Sequence, residues 1–189
     1  MSTRHTILPT PIGDLTVVRD DAGITGVYFP QHWTRPDRTA FGPRVETGFE
    51  DVAGQLADYF AGGRREFDLP LHATGDPLQQ RVWRLIAEIP YGRTASYGEL
   101  ARALGDGTTA QEVGAAVGAN PLSILVGCHR VVGSNGTLTG YAGGLDRKRR
   151  LLDRLLELDW IRRRDSSRAV RITDIGHAGL RTTFGIDLS

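Results

Sequence analysis

The hydrophobic and polar positions in the first part of the chain alternate as they do in β-strands. Residues 16–18 and 24–28 are short runs of β-favouring residues separated by an acidic, glycine-containing stretch, which predicts two strands joined by a turn. A polar, proline-containing loop follows over residues 31–47. Further on, apolar residues alternate over 67–71, and this alternation predicts another strand.

Apolar residues at helical spacing dominate the rest of the chain. They predict helices over residues 49–61, 76–89, 97–104 and 145–159, together with one that begins at residue 110. Capping residues precede several of these segments, and glycines end others. The two short helices that begin at 97 and 110 are joined by a glycine-containing turn, which is typical of a helix-turn-helix.

The chain is expected to contain two domains and a C-terminal extension. Its 189 residues, 40% of them hydrophobic, are enough to form a core of that size. The character of the sequence changes after His72, which predicts a boundary near residue 75. We therefore expect an N-terminal α/β domain over 1–75, a second domain over 76–160, and an extension of unknown role over 161–189.

The charge of the chain is balanced overall but unevenly distributed. The formal net charge is +1, yet residues 145–168 contain nine Lys/Arg and five Asp/Glu, a net of +4, which leaves about −3 elsewhere. The basic stretches 147–150 and 162–164 could bind phosphates, although a solvated helix face is the commoner explanation. The sequence shows no membrane-spanning apolar run and no signal peptide, so we expect a cytoplasmic protein.

An extended segment is predicted over residues 123–133, with the only cysteine, Cys128, in its middle. A single cysteine excludes an internal disulfide and a cysteine-cluster metal site. His129 and Arg130 follow it directly, and cationic neighbours lower the pKa of a thiol. Adjacent residues of an extended chain point to opposite faces, so His129 would need a turn or a bridging water to act on Cys128 as a base.

The motif Gly-Cys-His-Arg-Val at 127–131 resembles the Pro-Cys-His-Arg-Val motif of the O6-alkylguanine-DNA alkyltransferases. Further motifs fall in the family's order and spacing: Thr-Pro-Ile-Gly at 10–13, Tyr-Gly-Arg-Thr-Ala-Ser-Tyr at 91–97, Val-Gly at 113–114, Asn-Pro at 120–121 and Leu-Thr-Gly-Tyr-Ala-Gly-Gly-Leu at 138–145. The resemblance implies an α+β protein. Its N-terminal domain would be a ribonuclease-H-like α/β domain, and its helical C-terminal domain would carry the helix-turn-helix and the active-site cysteine.

The resemblance also implies a reaction. An alkyl group would move from O6-alkylguanine, and from O4-alkylthymine as well, onto Cys128 after the nucleotide has been flipped out of the duplex. Cellular reductants do not cleave a thioether, so each molecule would act once, as a methylated-DNA–protein-cysteine methyltransferase without cofactor or metal. The expected partner is double-stranded DNA carrying the lesion, bound through the minor groove by a monomer, with no membrane involved.

Individual residues receive roles from the same resemblance. Tyr97 is expected to donate a proton to the departing guanine, and Asn120 to brace the turn before the active-site segment. The complete set is Cys128, His129, Tyr97 and Asn120 for catalysis, Tyr141, Ala142, Gly143 and Val131 for the substrate pocket, and Gln111, Ala110, Gly114, Ser96, Arg130 and Ser134 for DNA binding. Asp159 joins the catalytic set on helical spacing alone and not on the resemblance.

The second helix of the expected helix-turn-helix has a face of small residues. Ala110, Gly114 and Gly118 are spaced four apart, so they lie on one side of the helix. Such a smooth face suits close approach to a narrow groove of DNA. Packing against the first helix explains the same pattern, and both interpretations stay open.

Three positions depart from the family pattern. Gln111 stands where the family has an arginine that fills the place of the flipped base, so we expect weaker or slower flipping. Gly127 replaces a proline, which removes some backbone stiffness. Leu155 falls at the position of a glutamate that orients the histidine, and Asp159, one helical turn further on, is the candidate replacement.

Other functions stay open on the sequence. A non-catalytic O6-alkylguanine sensor of the alkyltransferase-like kind would fit the departures, but such proteins lack the cysteine. A helix-turn-helix transcription regulator would fit the two short helices, although a Gly/Ala-rich second helix offers few base-reading side chains. A cysteine hydrolase would use Cys128 and His129 as a dyad, and adjacent residues make that geometry poor.

Overall fold

The chain begins with a three-stranded antiparallel sheet. The structure is a computed structural model that describes residues 2–34, 36–157, 161–163 and 170–172. Its first strands are β1 (Arg4–Leu8), β2 (Leu15–Arg19) and β3 (Ile24–Tyr28), which neighbour one another in the order β1-β2-β3. The two strands predicted near residues 16–18 and 24–28 are confirmed as β2 and β3.

Strand β1 was not predicted, because its sequence Arg-His-Thr-Ile-Leu lacks an alternation of large apolar residues. It forms because its backbone pairs along the whole of β2, from Arg4 opposite Arg19 to Leu8 opposite Leu15. The pairing is therefore decided by a neighbour in space and not by the residues of β1 themselves.

The strand predicted over residues 67–71 is wrong. Of these residues only Leu71 makes a bridge, an isolated parallel one to Ile24. The Ile24 N–H donates to the carbonyl of Pro70 at 2.8 Å, but Pro70 itself has no N–H with which to extend a ladder. The alternation reflects burial instead, since the ring of Phe67 packs against that of Tyr59 with centroids 5.1 Å apart.

Helix α1 (Glu50–Ala61) confirms the helix expected over 49–61. Its buried face is formed by Val52, Leu56 and Tyr59, which share one hydrophobic core with the sheet. The helix ends at Gly62, whose φ of 84° and left-handed conformation allow its N–H to reach back to the carbonyls of the last turn.

Three capped helices follow, namely α2 (Pro77–Ala87), α3 (Tyr97–Leu104) and α4 (Ala110–Gly118). Asp76, Ser96 and Thr109 each accept the N–H of the third helical residue, and the side chain of that residue bonds back to the cap. Helix α3 ends at Gly105 in the left-handed conformation, so the chain turns sharply into α4. Helices α3 and α4, with the turn between them, confirm the predicted helix-turn-helix.

The expectation of an extended chain through Cys128 is wrong at the cysteine itself. Cys128–Arg130 is a single turn of 3-10 helix, closed by a bond from the Arg130 N–H to the Gly127 carbonyl at 2.8 Å. The chain becomes extended only at β5 (Val131–Val132), which pairs in parallel with β4 (Ala95–Ser96). This short pairing joins the cysteine turn to the start of α3.

The last described elements are helix α5 (Leu145–Glu157) and the antiparallel strands β6 (Ile161–Arg163) and β7 (Val170–Ile172). Buried residues of α5, such as Leu151 and Leu152, belong to the core that also contains the sheet residues Leu15 and Val17. None of the described helices is both long enough and apolar enough to cross a membrane.

A buried indole ties α2 to α4 and generates a prediction about stability. Trp83 donates its ring N–H to the carbonyl of Ala116 at 2.8 Å in the interior. Replacing Trp83→Phe leaves that carbonyl without its donor, so we expect the free energy of unfolding to fall by about 1–3 kcal/mol in urea titrations.

The matched control is Trp33→Phe. Trp33 also donates its ring N–H to a helix carbonyl, that of Gly118 at 3.2 Å, but this bond is exposed and water can replace it. We expect the control to lose about 0.5 kcal/mol or less. Equal losses in the two variants would contradict the role assigned to the buried bond.

Candidate active site

The cysteine turn sits deep in the helical half. Cys128 is 3% exposed, and its N–H donates to the Val126 carbonyl at 2.7 Å. The approach to the turn is strained, because Ile124 has a φ of 74° and is the one non-glycine residue with positive φ in the described part of the chain. A β-branched residue adopts this conformation only where its surroundings enforce it, which is typical of functional sites.

The thiol has three polar neighbours that favour its ionised form. Burial raises the pKa of the Cys128 thiol, whereas a hydrogen bond from the Asn120 side chain, the positive charge of Lys148 and a backbone bond from Ile124 act in the opposite direction. Burial is the largest of these effects. The group at rest is therefore mainly a thiol, and the site holds the means to stabilise a thiolate once it forms.

Asn120 links the end of α4 to the cysteine turn. It is 1% exposed and follows Ala119, the C-cap of α4. Its side-chain oxygen accepts the Leu122 N–H at 3.0 Å, and its side-chain nitrogen donates to the Val126 carbonyl at 3.3 Å. The residue thus closes an Asx turn, and the hydrogen bond from its side chain also lowers the pKa of the thiol.

Lys148 is a buried cation that the sequence did not single out. Its side chain is fully buried on α5, and its Nζ donates to the carbonyls of Val131 at 2.5 Å, Thr139 at 2.6 Å and Gly140 at 3.1 Å. Burial lowers the pKa of Lys148 to about 8, while the charge of an ionised Cys128 raises it. The three carbonyl acceptors also favour the ammonium.

His129 is completely buried beside the thiol. Its Nε2 lies 3.3 Å from the hydroxyl of Tyr59, and its Nδ1 has no hydrogen-bond partner among the described residues. Burial, followed by the charges of Arg130 and Lys148, holds the pKa of His129 well below its usual value. The imidazole is therefore neutral at physiological pH.

Two further tyrosines belong to the surroundings of the thiol. Tyr97, the first residue of α3, donates its hydroxyl to the Thr139 carbonyl at 3.2 Å. Burial raises the pKa of Tyr97, the bond to Thr139 lowers it, and an ionised Cys128 raises it further. Burial also raises the pKa of Tyr141 well above its usual value, with added contributions from the charges of Cys128 and Tyr59.

The predicted pocket residues lie in the loop between β5 and α5. Ala142 is buried and accepts the Trp33 N–H at 3.0 Å, and Gly143 must be glycine because an added Cβ would lie 2.4 Å from the Phe29 ring. A cavity of about 480 Å³ opens beside this loop. Its lining includes Gln31, Trp33, Tyr141, Ala142, Gly143 and Arg150. In the described part of the chain, Cys128 and the buried Val131 are not among its lining residues.

Most of the residues expected to bind DNA lie at or near the surface. Ala110 and Gln111 are exposed at the start of α4, and Ser134 is exposed in the turn after β5. Ser96 is half-buried, and its hydroxyl is used in the cap of α3. These positions are accessible to a ligand in the structure.

The small-residue face of α4 is partly exposed and partly packed against aromatic rings. Ala110 is exposed, whereas a Cβ added at Gly114 would lie 3.7 Å from the ring of Tyr97. At Gly118 an added Cβ would lie 2.9 Å from the indole of Trp33. The face is therefore open at its beginning and covered by aromatic side chains further along.

Two expectations about basic side chains need correction. Arg130 is 8% exposed, donates to the Ile89 carbonyl at 2.7 Å and lies over the Tyr91 ring at 5.6 Å, so it is held inside and not offered to DNA. In the stretch 147–150, Lys148 is buried and Arg147 lies over the ring of Phe29 at 5.0 Å. That half of the stretch is not a solvated helix face.

Asp159 lies outside the described residues, and so does the side chain of Leu155. Within the described residues, no group of histidine, cysteine and acidic side chains could hold a metal ion.

Sequence reasoning missed Lys148 and Tyr59 as neighbours of the cysteine turn. One signal was available, because Lys148 is the only lysine among 23 cationic residues.

Two family models match the chain, one in each half. The model described as the ribonuclease-like domain of 6-O-methylguanine DNA methyltransferase matches residues 3–73, and the model described as its DNA-binding domain matches residues 77–154. The chain belongs to the 6-O-methylguanine DNA methyltransferase family. The α+β fold expected from the sequence, with the cysteine in the helical half, is confirmed.

Other members of this methyltransferase family resemble the chain in sequence and in structure. A methylated-DNA–protein-cysteine methyltransferase of Mycolicibacterium paratuberculosis is 46% identical over 76% of this chain and 86% of its own length. The relative of the same name from Methanosarcina acetivorans is 40% identical over 78% of this chain and 95% of its own length. The solved structure of Mycobacterium tuberculosis OGT in complex with DNA superposes with a TM-score of 0.78 at 42% identity, covering 82% of this chain and 93% of that one.

The buried thiol of this family member generates a prediction about pH. Because burial raises the pKa of the Cys128 thiol above its ordinary value, a smaller fraction of the sulfur is thiolate at a given pH in the folded protein than in the unfolded chain. We expect the rate of labelling by iodoacetamide, followed by intact mass, to reach half its maximum at a higher pH in the folded protein than in the unfolded chain.

The same chain unfolded in concentrated guanidinium chloride is the control, and we expect its labelling rate to reach half its maximum at about pH 8.5. Since the chain has one cysteine, no second thiol contributes to the signal. A folded midpoint below that of the unfolded chain would contradict the dominance of burial and would mean that Asn120 and Lys148 outweigh it.

Proposed function

We propose that this protein repairs DNA directly, by moving an alkyl group from the O6 of guanine onto the sulfur of Cys128 in one irreversible turnover. The observation that supports this most is the environment of the thiol. A solitary buried cysteine contacts the Asn120 side chain and faces a buried ammonium, that of Lys148, so a developing sulfur anion meets preorganised positive charge. A cysteine that served packing alone would not require either group.

The proposed step is a single displacement. Cys128 loses its thiol proton to solvent or to a neighbouring base, and the thiolate attacks the alkyl carbon in line with the carbon–oxygen bond. The sulfur–carbon bond forms as the carbon–oxygen bond breaks, and the electron pair leaves with the guanine, which then takes a proton. Tyr97 is the proposed donor of that proton, and its hydroxyl donates to the Thr139 carbonyl, which also accepts from the Lys148 ammonium.

The lesion has to leave the base stack before this step. Cys128 is 3% exposed, so a base within an intact duplex cannot reach it. We infer that the extruded nucleotide enters between the loop that carries Tyr141 to Gly143 and the start of α3. The glycine at 143 allows this loop to pack closely against the Phe29 ring.

The partner is DNA, and the proposed contact is the minor groove, read by α4. The open small-residue start of α4 supports this, since Ala110 and Gln111 project into solvent without bulk. Gln111 is proposed to fill the place of the flipped base, with a neutral side chain. We also propose that the protein accepts O4-alkylthymine as a second substrate, acts as a monomer and is located in the cytoplasm.

A lesion sensor without repair activity is the second candidate. One observation favours it, because the pKa of the Cys128 thiol is raised and His129 Nδ1 has no acidic partner among the described residues. If the thiol ionised too rarely, the protein would bind the flipped base and leave its alkyl group in place. The distinction is one of rate at a single sulfur, which mass spectrometry measures directly.

Intact mass after incubation with a duplex that contains one O6-methylguanine tests the proposal. We expect the protein to gain the mass of one CH2 group, because S–H becomes S–CH3, and we expect no gain with unmodified duplex. Cys128→Ala is the control and should bind the lesion duplex without gaining mass. Lesion-selective binding by the unaltered protein, with no gain of mass, would identify a sensor instead.

The neutral side chain at position 111 generates a separate prediction. Gln111→Arg places a cation at the exposed start of α4, so we expect tighter binding of duplex DNA and faster transfer. The slope of log Kd against log salt should steepen by about 0.9 for one added phosphate contact. Fluorescence anisotropy over a salt series measures it.

Thr47→Arg, in the exposed loop before α1, is the charge-matched control. It changes the net charge equally but far along the chain from the helix-turn-helix. If both variants change the Kd and the salt slope equally, the effect comes from overall charge, and Gln111 does not contact DNA.

A further inference from the structure

The imidazole of His129 is held by a residue from the other half of the chain. Tyr59 lies on α1, within the segment that matches the ribonuclease-like model, and its hydroxyl is 3.3 Å from His129 Nε2. Tyr59 is 3% exposed and His129 is 0% exposed, so water does not compete for this contact. Among the described residues, no other group hydrogen-bonds the ring, since Nδ1 has no partner there.

The hydroxyl of Tyr59 is itself fixed in place. Its ring packs edge-on against Phe60 and Tyr91, with centroids 5.7 Å and 6.0 Å away. Behind Tyr91, Arg130 lies over the Tyr91 ring at 5.6 Å and is anchored by its bond to the Ile89 carbonyl at 2.7 Å. The ring that carries the hydroxyl is therefore held by aromatic neighbours on two sides.

This arrangement decides which nitrogen of His129 carries the proton. Within the described residues, His129 Nε2 is the one acceptor within hydrogen-bond distance of the buried Tyr59 hydroxyl, and a buried O–H needs an acceptor. If Nε2 carried the proton, this O–H would be left without an acceptor, so the hydroxyl donates and Nε2 accepts. Because the imidazole is neutral, its own proton resides on Nδ1.

We propose that Tyr59 is a positioning residue for alkyl transfer, which holds the His129 ring and fixes its proton on Nδ1. In this tautomer His129 acts toward the sulfur as a hydrogen-bond donor, directly or through a water, and not as the group that stores the thiol proton. The arrangement suits a chain that has Leu155 where an acid would stabilise an imidazolium. The tautomer stands on the contact between Tyr59 and His129 and on the burial of both side chains, and its effect on the reaction rests on the proposed function.

The test compares Tyr59→Phe with the unaltered protein. The variant removes one oxygen and retains the aromatic ring, so its packing against Phe60, Phe67 and Tyr91 is kept. We expect single-turnover methyl transfer to slow by about three- to tenfold, the worth of one hydrogen bond. The Kd for lesion DNA should stay within about twofold, because Tyr59 is buried away from the surface.

The second readout is the tautomer, observed by nitrogen NMR of the histidine rings, with His129 assigned through a His129→Gln variant. We expect the proton on Nδ1 in the unaltered protein and a shift of population toward Nε2 in Tyr59→Phe. Tyr28→Phe is the matched control, a partly buried tyrosine that stacks on Phe41 at 5.2 Å. It should alter neither the rate nor the His129 signals.

Several outcomes would overturn the inference. A protonated Nε2 in the unaltered protein would do so, even if Tyr59→Phe failed to fold. A Tyr59→Phe variant that transfers the methyl group at the normal rate would also overturn it. The same holds for a variant that is slower only because it is less stable and in which the His129 tautomer is unchanged. If the unaltered protein transferred no methyl group, the proposed function would fail, while the NMR comparison would still decide the tautomer.

Discussion

The active site is organised around the buried ammonium of Lys148. An ammonium in the interior is tolerated only when its donors are satisfied, and three carbonyls, from Val131, Thr139 and Gly140, converge on this one. An ammonium directs its three donors from a single nitrogen, so it suits carbonyls that converge on one point, whereas a guanidinium spreads its donors over a planar fork. This difference gives a physical reason for one lysine in an arginine-rich chain. Because these carbonyls belong to β5 and to the pocket loop, α5 holds both beside the cysteine turn.

The same charge sets the electrostatics of the site. Lys148 and Arg130 together oppose protonation of the buried His129, and Lys148 opposes the effect of burial on the Cys128 thiol. A thiolate–imidazolium pair is therefore disfavoured here, and the sulfur anion depends on fixed positive charge and on the Asn120 side chain. This balance is consistent with a protein that reacts once, since it needs a thiolate only when substrate is bound.

The N-terminal half takes part in the site through side chains that cross to the helical half. The ring N–H of Trp33 donates to the end of α4, and the hydroxyl of Tyr59 contacts the ring of His129. The backbone N–H of Trp33 also donates to the pocket loop. In the opposite direction, Arg147 of α5 lies over Phe29 and donates to the Ile12 carbonyl. The sheet and α1 thus support the reactive turn as well as packing against it.

The sequence by itself determined the helices with clear caps and stripes, the reactive cysteine and the family, because these depend on neighbours along the chain. Ser96 and Thr109 cap their helices locally, so the helix-turn-helix was predictable from their spacing. Only the tertiary structure decided that Cys128 lies in a 3-10 turn, that β1 is a strand and that 67–71 is not. It also decided that Lys148 and Tyr59 face the site while Arg130 turns inward. Burial of a charge and pairing of a strand depend on groups far away in sequence, and no local pattern records them.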